Sequence, residues 1–243
     1  MKTKLFPLLT TVGLLAASIQ AQSVVIVRKE VTYKRKKPAA DYKQSFTINY
    51  PKVKAATPAL AKKIESTISY ERTLGLNLKD ELGDSEWLES ADYVVSYNKN
   101  GILSIALTME GSGAYPSSTT KHLVVDLRTG ERVTPNAVFS NLSGLLSMVR
   151  RAKDREVARA IAEIKKDPEN KDVGPEDLFR EHAKYNPLKL DQFIISDRGV
   201  TFHHDYGFPH VALALQPAGD FVFTWVQLKP YIKTGRLLSK FLR

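Results

Sequence analysis

The sequence predicts an α+β fold: antiparallel sheets with a long inserted helix, and a small N-terminal strand–helix unit before a larger C-terminal unit. Short β-branched segments follow one another as candidate hairpins, and candidate helices stand between these runs instead of alternating strictly with single strands. The 243 residues include no cysteine, which excludes disulfide scaffolds, thiolate metal sites and thiol nucleophiles. We therefore expect the fold to be stabilised by core burial alone.

Residues 1–21 have the pattern of a signal peptide. Lys2 and Lys4 precede an apolar segment that ends at the small residue Ala21 and is too short to favour a membrane span. We expect an exported, periplasmic or extracellular chain that begins near Gln22. Removal of the two lysines lowers the formal charge from +10 to +8.

Residues 22–90 are predicted to form the small N-terminal unit. Residues 23–33 and 45–50 are rich in β-branched side chains and predict two strands, the second ending at Pro51. A helix is predicted to follow Thr57, a residue type that caps helix N-termini.

Residues 91–243 are predicted to form the larger unit, and its clearest element is a hairpin. Strands over 93–97 and 102–109 flank a turn in which Asn100-Gly101 supplies the positive φ that tight hairpins need. The other predicted elements are strands over 122–127, 193–195, 200–204, 211–215 and 221–226, and helices over 141–166, 175–184 and 228–243.

Several motifs follow the hairpin in a fixed order. They are Gly111-Ser-Gly-Ala-Tyr-Pro116, Asp126-Leu-Arg-Thr-Gly130, the segment 193–202, Tyr206-Gly-Phe-Pro209 and Val226-Gln-Leu-Lys-Pro230. This order resembles a family of extracytoplasmic domains that includes the extracellular domain of RsiV, a lysozyme-responsive anti-sigma factor, and the N-terminal region of the peptidoglycan deacetylase PdaC. Their C-terminal module is the domain of unknown function 3298, and the resemblance covers roughly residues 43–233.

The resemblance implies binding or sensing at the cell envelope. Tyr115 stands where the family has a histidine, so any role of that imidazole is absent. We expect a non-enzymatic domain without a cofactor that recognises a cell-wall glycan or an envelope protein, and no nucleic-acid partner. The residues expected to form a ligand-facing rim are Gly111, Ser112, Gly113, Ala114, Tyr115, Pro116, Tyr206 and Pro209.

A metal- or carboxylate-dependent hydrolase of envelope polymers is an alternative. His203, Asp205 and His210 are weak candidate metal ligands, because His203 and Asp205 share one face of a predicted strand. Glu110 and Asp126 could, with Asp205, supply paired carboxylates, although nothing in the sequence brings two of them together.

A membrane-surface protein is a second alternative. In a helix over 228–243, the side chains of Lys233, Arg236 and Lys240 would line one face, and apolar side chains would line another. Such a helix could lie on an anionic membrane surface or pack against the core of the protein.

Overall fold

The computed structural model describes residues 23–40, 43–83, 86–170 and 173–242. The predicted signal peptide, residues 1–21, lies outside the described residues. Two sheets are present in the described part, and their strands are β1 (Val25–Lys34), β2 (Ser45–Lys54), β3 (Leu88–Lys99), β4 (Ile102–Ser112), β5 (Pro116–Asp126), β6 (Glu131–Arg132), β7 (Phe193–Ser196), β8 (Gly199–His203) and β9 (Asp220–Thr224). The α-helices are α1 (Pro58–Thr67), α2 (Tyr70–Leu74), α3 (Leu78–Leu82), α4 (Pro135–Val138), α5 (Leu142–Lys166), α6 (Pro175–Tyr185) and α7 (Trp225–Leu228).

The first sheet has the order β1-β2-β3-β4-β5-β6, and the second has the order β7-β8-β9. Neighbouring strands are antiparallel except for β2 and β3, which run parallel through Thr47–Ser90 and Ile48–Ala91. The predicted α+β class is confirmed, and α5 is the long inserted helix.

The first strands and helix form largely as predicted. Thr57 caps α1 by accepting a hydrogen bond from the N–H of Leu60 at 3.2 Å. The expected end of the second strand at Pro51 is wrong, because β2 continues to Lys54. Proline is tolerated there because β2 pairs with β3 only near Thr47, which leaves Pro51 beside an open edge.

The boundary predicted at residue 90 falls within β3. The first sheet contains strands from both sides of this position, and β2 pairs with β3 across it. Side chains from both segments also share one core, including Phe46, Ile64 and Leu107.

β4, a central strand of the first sheet, is buried on both faces because its side chains alternate between two cores. Leu103 and Ile105 of β4 face the core that contains α1–α3, whereas Ile102 faces the core between this sheet and the second sheet. Asn100 and Gly101 form the predicted turn before β4, with φ angles of 54° and 72°.

Ser104 links the two sheets through hydrogen bonds at this second core. Its side chain is fully buried, and its Oγ accepts a hydrogen bond from the N–H of Ile195 in β7 at 2.9 Å. The Oγ of Ser96 donates to the same oxygen at 2.9 Å. The two sheets are therefore joined by a satisfied polar contact as well as by apolar packing.

Two C-terminal predictions are wrong. Residues 210–215 form a 3-10 helix and not a strand. The predicted amphipathic helix over 228–243 is wrong: α7 ends at Leu228, and two 3-10 turns, Lys229–Tyr231 and Leu237–Leu242, follow it. Pro230 cannot donate the backbone hydrogen bond that would extend α7, and Gly235 adopts a φ of 67°. Leu238 is fully buried in the second core, so the apolar side of this segment packs on the protein.

In the part of the chain that the structure describes, no helix combines the length and the hydropathy needed to cross a bilayer.

Candidate functional site

The glycine-rich segment 111–116 forms the tip of the hairpin between β4 and β5. A Cβ atom on Gly111 would lie 2.1 Å from the carbonyl oxygen of Trp87, so only glycine fits at this position. The N–H of Ser112 donates to the same oxygen at 3.0 Å, and Lys43 Nζ donates to the carbonyl of Ser112 at 2.8 Å. These contacts hold the base of the hairpin, and residues 113–116 are exposed.

The turn from Tyr206 to Pro209 is held by local hydrogen bonds. Gly207 has a φ of 68° and donates its N–H to Asp205 Oδ1 at 2.8 Å. The side chain of Tyr206 is only 4% exposed, and its hydroxyl donates to Glu156 of α5 at 2.8 Å. Tyr206 therefore anchors the turn and its ring is not available to a ligand, whereas Pro209 is exposed.

These two segments meet through an aromatic contact. The rings of Tyr115 and His210 stack with centroids 4.3 Å apart and an interplanar angle of 22°. Tyr115 remains 61% exposed, and His210 is also exposed. We call Tyr115 and His210 the exposed pair. The structure thus brings the predicted rim segments together at Tyr115 and just beyond Pro209.

A second stacked pair joins β5 to the second sheet. The rings of His122 and His203 lie 3.5 Å apart at an interplanar angle of 6°, and we call them the covered pair. Gln192 holds both residues: its Oε1 accepts from the N–H of His122 at 3.0 Å, and its carbonyl accepts from the N–H of His203 at 2.8 Å. His203 Nδ1 lies 2.6 Å from Asp220 Oδ1.

Burial dominates the electrostatics of the covered pair. Desolvation, with the adjacent His203 as the next cause, lowers the pKa of His122 to about 4. The hydrogen bond from His203 lowers the pKa of Asp220. His203 Nε2 is buried and has no hydrogen-bond partner among the described residues. At neutral pH, His122 is therefore uncharged and Asp220 is ionised.

His204 points away from the covered pair. It is 8% exposed, and its ring meets that of Tyr206 edge-on at 4.7 Å. Burial, followed by repulsion from Lys153, lowers the pKa of His204 to about 4, and burial also lowers the pKa of Lys153. His204 is therefore a neutral core side chain at physiological pH.

The three weak metal candidates have different partners. His203 binds Asp220, Asp205 accepts from the N–H of Gly207, and His210 stacks on Tyr115. Across residues 23–40, 43–83, 86–170 and 173–242, no group of three side chains of the usual ligand types is placed to hold a metal ion.

Sequence reasoning missed His122, Gln192 and Asp220. His122 begins a predicted strand, and Gln192 and Asp220 each immediately precede one, with no neighbour of the same kind to mark them. They meet only because β5 packs against β7 and β8 pairs with β9. Among the members of this cluster, only His203 belonged to a visible group in the sequence.

Comparisons with known proteins identify the fold. No family model matches the sequence, and no curated protein matches it. The structure is similar to that of a member of the DUF3298 family from Bacteroides fragilis, with a TM-score of 0.51 and 16% identity over 90% of this chain and 99% of that chain. It also matches a DUF3298 family protein from Pseudomonas aeruginosa, with a TM-score of 0.48 and 13% identity over 88% of this chain and 95% of that chain.

The similarity to the Bacteroides fragilis protein covers 90% of this chain and 99% of that chain. It confirms the predicted resemblance to the DUF3298 domain. The narrower resemblance to RsiV and PdaC stays a prediction. The chain has the α+β fold of the DUF3298 domain.

Proposed function

We propose that this chain is an exported, non-enzymatic domain that binds a glycan of the cell envelope at the exposed pair. The single observation that carries this proposal is the stacking of Tyr115 on His210. It presents a broad, solvent-accessible aromatic surface at the junction of two segments that are distant in sequence. The C–H face of a sugar ring is apolar and packs well against such a surface.

Hydroxyl groups beside this surface support a glycan ligand. The first part of β5, Pro116–Lys121, is exposed and contains Ser117, Ser118, Thr119 and Thr120. Hydroxyl side chains both donate and accept hydrogen bonds, which matches the hydroxyls of a sugar. Ser117 Oγ accepts from Trp87 Nε1, and Thr120 Oγ1 shares a hydrogen bond with Thr108 Oγ1, so Ser118 and Thr119 are the hydroxyls proposed to bond a sugar.

The positions of the acidic side chains favour binding over hydrolysis. Glu110 accepts from Ser90, Asp126 accepts from the N–H of Arg128, and Asp205 accepts from the N–H of Gly207. A pair of carboxylates placed across a scissile bond is the usual requirement for glycoside hydrolysis, and these three each have a local partner instead.

The test is a pull-down of the purified protein with isolated cell-wall sacculi. We expect the unsubstituted protein to bind, and Tyr115→Ala to weaken binding by about 10-fold, because the stacking surface is lost. Tyr185→Ala is the matched control, since Tyr185 of α6 is 77% exposed and lies outside the proposed surface. Absence of binding by the unsubstituted protein, or equal losses in the two variants, would refute the proposal.

A further inference from the structure

A cleft of about 490 Å³ lies between α5 and the edge strand β9, apart from the exposed pair. Its walls include Ala152 and Val222, which are apolar, and Val222 is 65% exposed. Four charged side chains also line it: Arg155, Glu156, Arg159 and Asp220. The cleft therefore combines an apolar wall with charged groups at its rim.

The two acids in the cleft are already bonded, whereas the two arginines are not. Glu156 accepts a hydrogen bond from Tyr206 at 2.8 Å, and Asp220 lies 2.6 Å from His203 Nδ1. In the described part of the chain, the side chains of Arg155 and Arg159 have no ion pair and no hydrogen bond. Both arginines are exposed.

The surrounding helix surface adds positive charge. Residues 150–159 of α5 contain five basic residues, Arg150, Arg151, Lys153, Arg155 and Arg159, against two acids, Asp154 and Glu156. Arg155 and Arg159 are one helical turn apart, so their side chains lie next to each other on the same face. Two adjacent guanidinium groups present several N–H donors to one anion.

We propose that the cleft binds a carboxylate or phosphate group, with Arg155 and Arg159 as its ligands and the Ala152–Val222 wall in contact with the group that carries the anion. The choice of an envelope polymer as the source of this anion rests on the proposed function. The anion site itself does not, because it uses different residues from the exposed pair.

The experiment is calorimetric titration of the purified protein with three polymers at low and near-physiological salt. Polygalacturonate supplies carboxylates, poly(glycerol phosphate) supplies phosphodiesters, and chitohexaose is the neutral control. We expect one of the two anionic polymers to bind, and Arg155→Gln/Arg159→Gln to weaken that binding by about 10-fold or more. Whichever polymer binds identifies the anion as a carboxylate or a phosphate.

Arg150→Gln/Arg151→Gln is the matched control, because it removes the same charge from the same helix outside the cleft. We expect it to weaken binding by less than about threefold. Equal losses in the two variants would mean that general electrostatic attraction binds the polymer, and the proposal would be overturned. Failure of both anionic polymers to bind would also overturn it; binding of chitohexaose in that case would leave the proposed function standing.

Discussion

Two stacked pairs connect the β4–β5 hairpin to the C-terminal part of the chain, and they differ in their access to water. His122 and His203 stack within the packing between the two sheets, where one ring nitrogen of His203 is fully buried. Tyr115 and His210 stack at the hairpin tip, where Tyr115 is 61% exposed. β5 carries His122 of the covered pair, and Tyr115 of the exposed pair immediately precedes β5.

The difference arises because the second sheet covers only one end of β5. Val124 is buried in the core between the two sheets, and Leu123 and Val125 are buried in the core that contains α1–α3, whereas residues 116–121 are exposed. Burial of His122 costs solvation and lowers its pKa, so this contact is part of the folded core. The exposed pair lies outside the region of β5 that the second sheet covers, and the ring of Tyr115 therefore remains accessible to a ligand. Proximity in the fold therefore does not imply a shared role.

The largest effect is expected from a change that displaces the hairpin tip and thereby the exposed pair. Gly111→Ala should lower the free energy of unfolding by about 3 kcal/mol, because the new methyl group would overlap the Trp87 carbonyl. Denaturant unfolding measures this loss. Gly113→Ala is the control, since no atom lies within 4 Å of its added Cβ, and it should change the free energy by less than about 0.5 kcal/mol. Similar losses in both would show that the close approach at Gly111 is not a constraint.

The second prediction concerns the pH dependence of the covered pair. The folded pKa of His122 is about 4, below its ordinary value of 6.5, so the unfolded chain takes up a proton first as the pH falls. The contribution to stability is complete above about pH 6.5 and is lost towards pH 4. His122→Gln should reduce the loss of unfolding free energy between about pH 7 and pH 4.5 by roughly 2 kcal/mol.

The groups facing His122 support this direction. His203 and Lys121 disfavour a charge on His122, and the opposing effect of Asp220 is smaller than that of burial. His210→Gln is the comparison variant, because it replaces a histidine that lies outside the packing between the two sheets. A profile unchanged by His122→Gln would contradict a half-buried His122 that stays neutral in the folded protein.

Sequence patterns over a few neighbouring residues predicted most of the helices and strands, but they did not predict how these elements pack against each other. The Asn100-Gly101 turn, the Thr57 cap and the period of α5 depend on residues close in sequence, and they form as predicted. The C-terminal helix failed because its apolar spacing suited a helix while Pro230 and Gly235 prevented one. Packing of Leu238 into the core then fixed the irregular path.

The candidate site shows the same limit. Its glycine-rich segment and its tyrosine-proline turn were visible as motifs, but the sequence did not indicate that Tyr115 stacks on His210. Nor could it show that Tyr206 is buried, because its neighbours Asp205 and Gly207 are typical of an exposed turn. Tertiary packing against Glu156 and α6 decides this position.

The smallest effect is expected at the exposed pair itself. In a double-mutant cycle, Tyr115→Ala and His210→Ala should show a coupling of about 0.5 kcal/mol in unfolding free energy, because water competes with the contact and the rings keep rotational freedom. The corresponding cycle with His122→Ala and His203→Ala should show a coupling above about 1 kcal/mol, because both rings lose solvation and share Gln192 and Asp220 as neighbours. A coupling at the exposed pair as large as that at the covered pair would mean that Tyr115 and His210 serve the fold. In that case, the proposal that the exposed faces of Tyr115 and His210 bind a ligand would lose its support.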